Sequence, residues 1–527
     1  MKVCTHKEYL RNVLPGVLGA ALCGIVTGVA IFGFKVGASF VERLSRRLYA
    51  AASQAWWGVV SVFAVLAVAA VIMWLIHKWA PESRGGGIPR SEGVLRGRLR
   101  MRRVRTLLAT LLGSYISFFC GLPLGSEGPS VLIGTALGGC IAGNRSATGR
   151  YVMTSGAGAG FAVATGAPFS GILFALEEIH KRFTPMLVLS VSVSVLAATY
   201  SNGLLCTLFG VDPRFLVIDR VGGFSLSDVG WLVALGLLTA LGVAAFDIAS
   251  AAFGRLTKRY GRLFSPNIKL LAMFLVTGVV VLLCADGAYS GHHVIAEVAE
   301  GHKTLWAVAL LLVVRFVMML LVTDSGATGG IFISTLAIGS LVGALASRGL
   351  IALGMSESLY SAAVLLGMCA FIGGTLRAPL TATVLYLELT GQFTNLFFVA
   401  VVVFSVNAVT ELLNRTPFYE RSLEEMEHTQ NGGLKPSIAH FEMCVSQGAF
   451  VVGKAIRDVM WPSSSVVISI TRAHEHHEDM DNDGEKKLYV GDTLIVRARY
   501  YDEEELRRLL QGLVGTDHAI TKIEQST

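Results

Sequence analysis

Nine apolar stretches recur along the chain, near 14–41, 55–76, 107–124, 185–211, 228–250, 268–285, 304–323, 357–374 and 395–413. Several reach the roughly 20 residues that a helix needs to cross the hydrocarbon core of a bilayer. Three more, 128–147, 156–177 and 328–350, are apolar but short or interrupted by glycine and proline. Interrupted helices are tolerated at membrane depth where the freed backbone lines a protein cavity, so these three are where a site is expected. The first stretch is too long for a signal-peptide core and carries no evident cleavage site, so it is expected to stay. Past Asn414 the pattern changes. The polar 420–440 region, with Asn431-Gly432-Gly433 and Pro436, reads as a connection. Its linker proper is 426–439, between a membrane domain over 1–425 and a small α/β domain over 440–527. In that domain Val466 to Thr471 and Leu488 to Val496 read as strands, and Gly453 to Met460 and Glu503 to Leu513 as short helices. The last of these puts Leu506, Leu509, Leu510 and Leu513 on one face.

The interrupted stretches are related. Gly125, Gly134 and Gly138 recur as Gly330, Gly339 and Gly343, at a constant offset of 205. Ala167-Pro168 and Glu177 recur as Ala378-Pro379 and Glu388, at an offset of 211. The chain therefore divides into two repeats, about 14–211 and 225–413, joined by the polar 212–227 region. If each repeat crosses the membrane an odd number of times, the two are inverted and their broken helices meet near the midplane. A membrane chain of this design is a transporter or channel with its site between the repeats.

Composition narrows the class. With 53% hydrophobic and only 15% charged residues, this is not a soluble enzyme. The net charge of +7 is no nucleic-acid signature, because the basic residues gather at the ends of membrane segments. Arg96, Arg98, Arg100, Arg102, Arg103 and Arg105 form one group; Lys181/Arg182 and Lys258/Arg259/Arg262 form two more. The positive-inside rule places these loops, and with them the N-terminus and the C-terminal domain, in the cytoplasm of a multi-pass inner-membrane protein. Arg43, Arg46 and Arg47 fit that orientation poorly and are expected outside. The eight cysteines sit singly without metal-ligand spacing and read as small hydrophobes. No cofactor or metal is expected.

Glu127, in Gly125-Ser126-Glu127-Gly128-Pro129, stands at the start of a glycine-rich helix pattern. A carboxylate inside a bilayer costs about 2.5–3.5 kcal/mol on insertion scales, so it must face donors or water. Glycine N–H groups at a helix N-terminus supply donors to an anion, or to a glutamate that takes the anion's place. Two readings stand: a gate that also accepts protons, or a glutamate that caps its helix. Its repeat partner is Phe332, so the fold itself needs no acid there. Gly85-Gly86-Gly87-Ile88-Pro89 has the form of a loop aimed at an anion, although such runs also mark plain turns. Glu177, with its counterpart Glu388, reads as structural in both halves. Glu178 matches Leu389 and breaks the symmetry; it is either a proton relay or a surface ion pair with Arg182. Tyr419, after Pro417-Phe418, is an interfacial anchor or a hydroxyl turned to an anion. Arg315, in an apolar run, is expected to be paired or packed at the repeat interface. His474, His476 and His477 read as a solvated loop rather than a metal site. Thr154-Ser155-Gly156 and Asp324-Ser325-Gly326 raise an intramembrane hydrolase as a rival, but no histidine in a membrane segment presents itself as base.

Taken in order, Gly85 to Pro89, Gly125 to Pro129, Gly330 to Ser334 and Tyr419 resemble the three anion-site motifs and terminal tyrosine of CLC chloride channels and proton-coupled antiporters. The resemblance covers roughly 14–425. It implies an all-α polytopic membrane protein, an inverted repeat of tilted and broken helices, with the small cytoplasmic α/β domain appended. It also implies a homodimer with one pore per subunit. The implied anion-binding positions are Gly86, Gly87, Ile88, Gly128, Ile331, Phe332 and Tyr419. Glu127 aligns with the family's gating glutamate, and Glu178 with the inner proton-transfer glutamate of its antiporters. The implied activity is chloride/proton antiport. Its alternatives are a passive voltage- or ligand-gated chloride channel, or an antiporter for nitrate, bromide or fluoride. Three departures bear on selectivity. Gly86 stands where the family has a serine, Ser126 replaces the arginine beside the gating glutamate, and Ser334 replaces the closing proline of the third motif. The C-terminal module, about 440–516, resembles the ligand-binding domain of TrkA/RCK potassium-transport regulators. That implies a dimeric sensor of a small molecule or nucleotide.

Overall fold

The computed structural model describes residues 6–523 except 144–145, 214–215, 217–220, 261–264, 415, 463–464, 473–474 and 480–483. Eighteen α-helices are present among these residues, and nine helical stretches are long and apolar enough to cross a bilayer. The first apolar stretch lies in one helix, His6–Ala52, which at 1.5 Å per residue is about 70 Å long. Large side chains such as Trp56, Trp57, Leu237 and Leu241 face outward, as lipid contact requires. Burial is extreme in one span only. The Glu357–Leu376 stretch is 94% buried where the Trp56–Trp79 helix is 28% buried, which makes the former the central element of its repeat.

The recurring glycines explain themselves in the packing. Helix Glu127–Ala142 crosses helix Ser146–Thr165 at Gly134 and Gly156, where a Cβ on either would overlap the other's carbonyl oxygen. In the second repeat, helix Phe332–Ala352 crosses helix Tyr360–Leu376 at Gly343 and Gly367, somewhat less tightly, with a Cβ on Gly367 2.7 Å from Gly343 Cα. Without a hydrophobic drive between helices in lipid, close approach over small residues is what holds such pairs.

The two repeats are joined by matching contacts. Gly125 N donates to Gly330 O at 2.7 Å and Gly330 N to Gly125 O at 2.9 Å, an antiparallel bridge between equivalent residues. The acids at the 211 offset exchange caps. Glu388 accepts from the N–H groups of Phe169 and Ser170, each at 2.8 Å, and from the Ser170 hydroxyl. Glu177 does the same for Leu380, Thr381 and the Thr381 hydroxyl, at 2.7–3.0 Å. Each carboxylate thus serves the first turn of the other repeat's short helix, Pro168–Phe174 or Pro379–Thr390.

The C-terminal part carries a five-stranded antiparallel sheet. Its strands are β1 (Ser437–Cys444), β2 (Ser465–Arg472), β3 (Glu475–Asp479), β4 (Thr493–Tyr500) and β5 (Thr521–Ile523), in the order β3-β2-β4-β1-β5. Helix Glu503–Val514 packs Leu506, Leu510 and Leu513 into its core, with Phe441, Val467 and Val496 from the sheet.

Several expectations change here. The stretch 426–439 is helical to Gln430, the end of helix Phe418–Gln430, and strand from Ser437. The helix expected over Gly453 to Met460 is a single 3-10 turn at Ile456–Asp458, since the N–H groups of Gly453, Ile456 and Arg457 donate to the carbonyls of Leu488, Lys486 and Gly484 instead of to their own turn. The strand expected over Leu488 to Val496 starts only at Thr493, after the turn at Gly491. His476 and His477 lie in β3 rather than a loop, and His474 falls outside the described residues. Cys140 is exposed and Cys284 and Cys444 are half-buried, against the reading of the cysteines as core.

Candidate functional site

Three interrupted helices begin at one place. Helix Gly87–Leu95 starts at the first glycine motif, Glu127–Ala142 at the second and Phe332–Ala352 at the third. None has a side-chain cap at its N-terminus, so first-turn N–H groups are left for another partner. Backbone contact locks the three together. A Cβ on Gly87 would overlap the Gly128 carbonyl oxygen, and one on Gly128 would sit 2.7 Å from Gly330 Cα. Gly85 N donates to Gly326 O at 3.0 Å, which ties the first motif to the loop before the third. Glycine is required here because backbone must meet backbone. Ile88, Ile331, Phe332 and Tyr419 are buried in the same apolar cluster. At Gly86 a Cβ would meet nothing nearer than 3.8 Å, so the missing serine is not excluded by space.

Glu127 sits where these starts meet, fully buried. Its Oε1 accepts from Ser126 Oγ at 3.3 Å, while Oε2 lies against Gly125 and has no hydrogen-bond partner. A carboxylate gains about 0.3–1 kcal/mol from a helix N-terminus, which offsets only part of its desolvation. The backbone N–H groups of Glu127 and Ile333 and the charge of Lys35 also face this carboxylate.

Tyr419 opens helix Phe418–Gln430; its hydroxyl is buried and has no hydrogen-bond partner among the described residues. It lies within electrostatic reach of both Glu127 and Glu178. Glu178 sits in a π turn, Ala175–His180, a wound-in residue of a kind common at functional sites. Its side chain is 2% exposed and Oε2 lacks a partner. The ion pair with Arg182 is not formed among the described residues. The Arg182 N–H caps Leu176 O instead, and Arg96 binds the Glu178 carbonyl at 3.2 Å. The π turn rotates Glu178 inward, away from the next turn's surface.

Sequence reasoning missed Glu92, Glu420, Lys35 and His292 here. Glu92 is fully buried beside Glu178, with Arg96 Nη2 2.8 Å from its carboxylate. It lies four residues after Ile88, on the same helix face, which was a usable signal. Arg96 continues to Glu420 at 3.3 Å, and Glu420 also binds Arg98 at 2.8 Å and Lys181 at 3.2 Å. Burial pushes the Glu420 carboxyl up, but Lys181, Arg98 and Arg96 override it and hold it down at about 2. On the far side, a vestibule leading to Glu127 is lined by Lys35, Glu42, Ser126, Asn202, Ser290 and His292. Lys35, which donates to Val163 O at 3.1 Å, brings into this mouth the positive charge that Ser126 lacks. A lone lysine in the first apolar stretch was itself a signal.

Arg315 is buried and binds the carbonyls of Asp286 and Ala288, each at 2.8 Å, as packing rather than ligand contact. The hydrolase rival loses its nucleophiles. Ser155 Oγ donates to Tyr151 O and Ser325 Oγ to Val322 O. Against the expectation, a histidine does lie in a membrane segment, His77, and another beside one, His180, but His77 is 3.0 Å from Thr328 Oγ1 and His180 2.6 Å from Thr154 Oγ1.

Comparison with known proteins agrees with this geometry. Residues 68–411 match the family model described as voltage gated chloride channel. The chain is 27% identical over 430 residues to the H(+)/Cl(-) exchange transporter ClcA of Salmonella arizonae, covering 78% of this chain and 89% of that one. Among solved structures it is similar to a slow cyanobacterial Cl-/H+ antiporter, with TM-score 0.72 and 26% identity over 79% of this chain and 99% of the other. A CLC-type fluoride/proton antiporter shares the fold at TM-score 0.62 and 18% identity, over 76% of this chain and 96% of that one. Matched by the family model over well more than half its length and built as an inverted pair of repeats around converging helix starts, the chain belongs to the CLC, or voltage-gated chloride channel, family.

Proposed function

We propose that this member of an anion-transporting family exchanges chloride for protons. The observation that carries the reading is the pair of buried carboxylates, Glu127 and Glu178, each with an unpartnered oxygen and both within electrostatic reach of Tyr419. The anion is held by the first-turn N–H groups at Gly87, Ile88, Ile331 and Phe332, with Gly86 and Gly128 allowing close approach and the Tyr419 hydroxyl donating. Deprotonated Glu127 competes for those donors; protonated, it loses its charge and leaves the path. Glu178 takes protons from the Arg96 side of the protein and delivers them toward Glu127, past Tyr419. A passive channel needs no acid at Glu178, which favours exchange. Relatives named as chloride/proton exchangers support the same choice.

Orientation follows from the basic groups. Arg100 pairs with Asp502 and Glu505, and Arg150 binds the Met460 and Trp461 carbonyls, so the C-terminal domain shares the face of the arginine cluster. The positive-inside rule makes that face cytoplasmic in the inner membrane. As the family resemblance implies, the protein acts as a homodimer. Its C-terminal domain is a sensor of RCK type for a small molecule or nucleotide.

The test is paired flux in proteoliposomes for Glu127→Gln and Glu178→Gln. Both variants are expected to move chloride without protons. Proton pumping driven by chloride in either variant rejects the assignment of that residue.

A further inference from the structure

The route from Glu127 to outside water is not specified by the exchange scheme, and the structure supplies a residue for it. His292 opens the short helix His292–Ala299 in the second repeat. Its Nε2 lies 3.9 Å from Glu127 Oε1, and its imidazole keeps 35% of its surface exposed while Glu127 keeps none. On its other edge Nδ1 is 3.0 Å from Ser290 Oγ, which in turn is 3.4 Å from Glu42 Oε2. His292, Ser290 and Glu42 all line the vestibule. That vestibule opens away from the C-terminal domain. Pro15 of the first helix lines a cavity together with Ser446 and Gly515, and Glu42 is 27 residues further along the same helix, about 40 Å.

We propose that His292 is the proton-relay residue between Glu127 and the outer solution. The inference rests on the exchange reading above. An imidazole is suited to the task because its two nitrogens accept and donate on opposite edges. With a proton on Nε2, the ring accepts a second at Nδ1 from vestibule hydronium, relayed by the Ser290 hydroxyl as it turns from Glu42, and passes the Nε2 proton to Glu127 Oε1, so that it is left neutral with its proton on Nδ1. Glu127 gains one proton and the solution loses one; the ring resets by exchanging its tautomer with water. The reverse sequence discharges Glu127 outward. The 3.9 Å separation is beyond a hydrogen bond, so each transfer uses a small side-chain rotation or one bridging water.

The charged groups around the ring fit a carrier that begins and ends each transfer neutral. Glu127 faces it from its own helix start, Lys35 and Glu42 from the first helix, Asp212 from the loop between the repeats and Arg315 from helix Leu305–Ser325. The cations oppose a lasting charge on the ring and the carboxylates favour it. His293, next on the same helix, points elsewhere, 3.6 Å from Glu297 and 3.9 Å from Asp286.

The experiment measures chloride and proton fluxes of the full chain in proteoliposomes for His292→Ala and His292→Gln. A positioned proton donor contributes typically 10²–10⁴-fold, and direct access of water recovers part of that, so coupled exchange should slow at least about tenfold in both variants. Imidazole added outside should restore His292→Ala, and imidazole confined to the lumen should not. In a Glu127→Gln background, where anion movement needs no proton, adding His292→Ala should leave chloride flux within about twofold. Wild-type exchange rates in the His292 variants would overturn the relay. So would an equal loss of chloride flux in the Glu127→Gln background, which would mark a structural or anion-path role. If Glu127→Gln alone still pumps protons, the exchange reading fails and the relay falls with it.

Discussion

The exchanged caps of Glu177 and Glu388 allow a prediction from symmetry. Helix Pro168–Phe174 has seven residues, too few to be stable alone, and Glu388 satisfies two of its first N–H groups together with the Ser170 hydroxyl. Hydrogen bonds to a charged group contribute about 1.5–3 kcal/mol each; with both acids only half-buried, about 1–1.5 kcal/mol per bond is the better value. Glu388→Ala should therefore cost about 3–4 kcal/mol, and Glu177→Ala the same, because it loses the same three bonds. Ser170→Ala and Thr381→Ala each lose one bond, about 1 kcal/mol. In thermal melts of the detergent-solubilised full chain, the two glutamate variants should fall together by about 3–4 °C. Paired fluxes should then separate them, since only Glu177 adjoins Glu178. An unchanged melt in either glutamate variant, or a shift in one less than a third of that in the other, would refute the idea that the caps are equivalent.

Two further predictions address the site and its inner rim. Gly128→Ala places a Cβ 2.7 Å from Gly330 Cα and 3.3 Å from Gly87 N, both backbone, so the motifs must part at a cost of about 1–3 kcal/mol. Chloride flux should fall sharply while the melt falls modestly, and wild-type flux would contradict the close approach. Glu420 is held at about 2, below its ordinary 4.5, so its stabilising effect is fully present above pH 4.5 and lost as pH falls from there through about 2. Glu420→Gln should lower the melting temperature at neutral pH and remove that part of the acid-side decline, bringing the two curves together near pH 2. Parallel curves for both proteins would show that the Arg96, Arg98 and Lys181 contacts contribute nothing.

The membrane fold was readable because burial in lipid writes itself into long apolar runs and into glycines at fixed offsets. The Gly125–Gly330 pairing and the Glu177–Glu388 exchange are the physical content of the offsets 205 and 211. The inner rim was less legible. Arg96 was read only as one of a basic cluster and Glu92 was not singled out, because whether an acid points inward depends on how a nine-residue helix is seated. The π turn that turns Glu178 away from Arg182 has no signature in an i, i+4 pattern. Lys35 and His292 come to Glu127 from helices distant in sequence, a closeness that only tertiary structure creates. In the C-terminal part the strands were found where β-branched residues alternate, at β2. β1 began inside the polar connection, where its first residues, Ser437 and Ile438, are exposed and carry no alternation.

The central claim, that anion and proton movements are obligatorily coupled, is tested most directly by the wild-type protein in proteoliposomes with an inward chloride gradient imposed at zero pH gradient and clamped membrane potential. The account predicts proton movement against the proton gradient that develops, in fixed ratio to chloride and reversing when the chloride gradient is reversed. Chloride flux with no accompanying proton movement would contradict it and leave a passive anion pathway on the same fold.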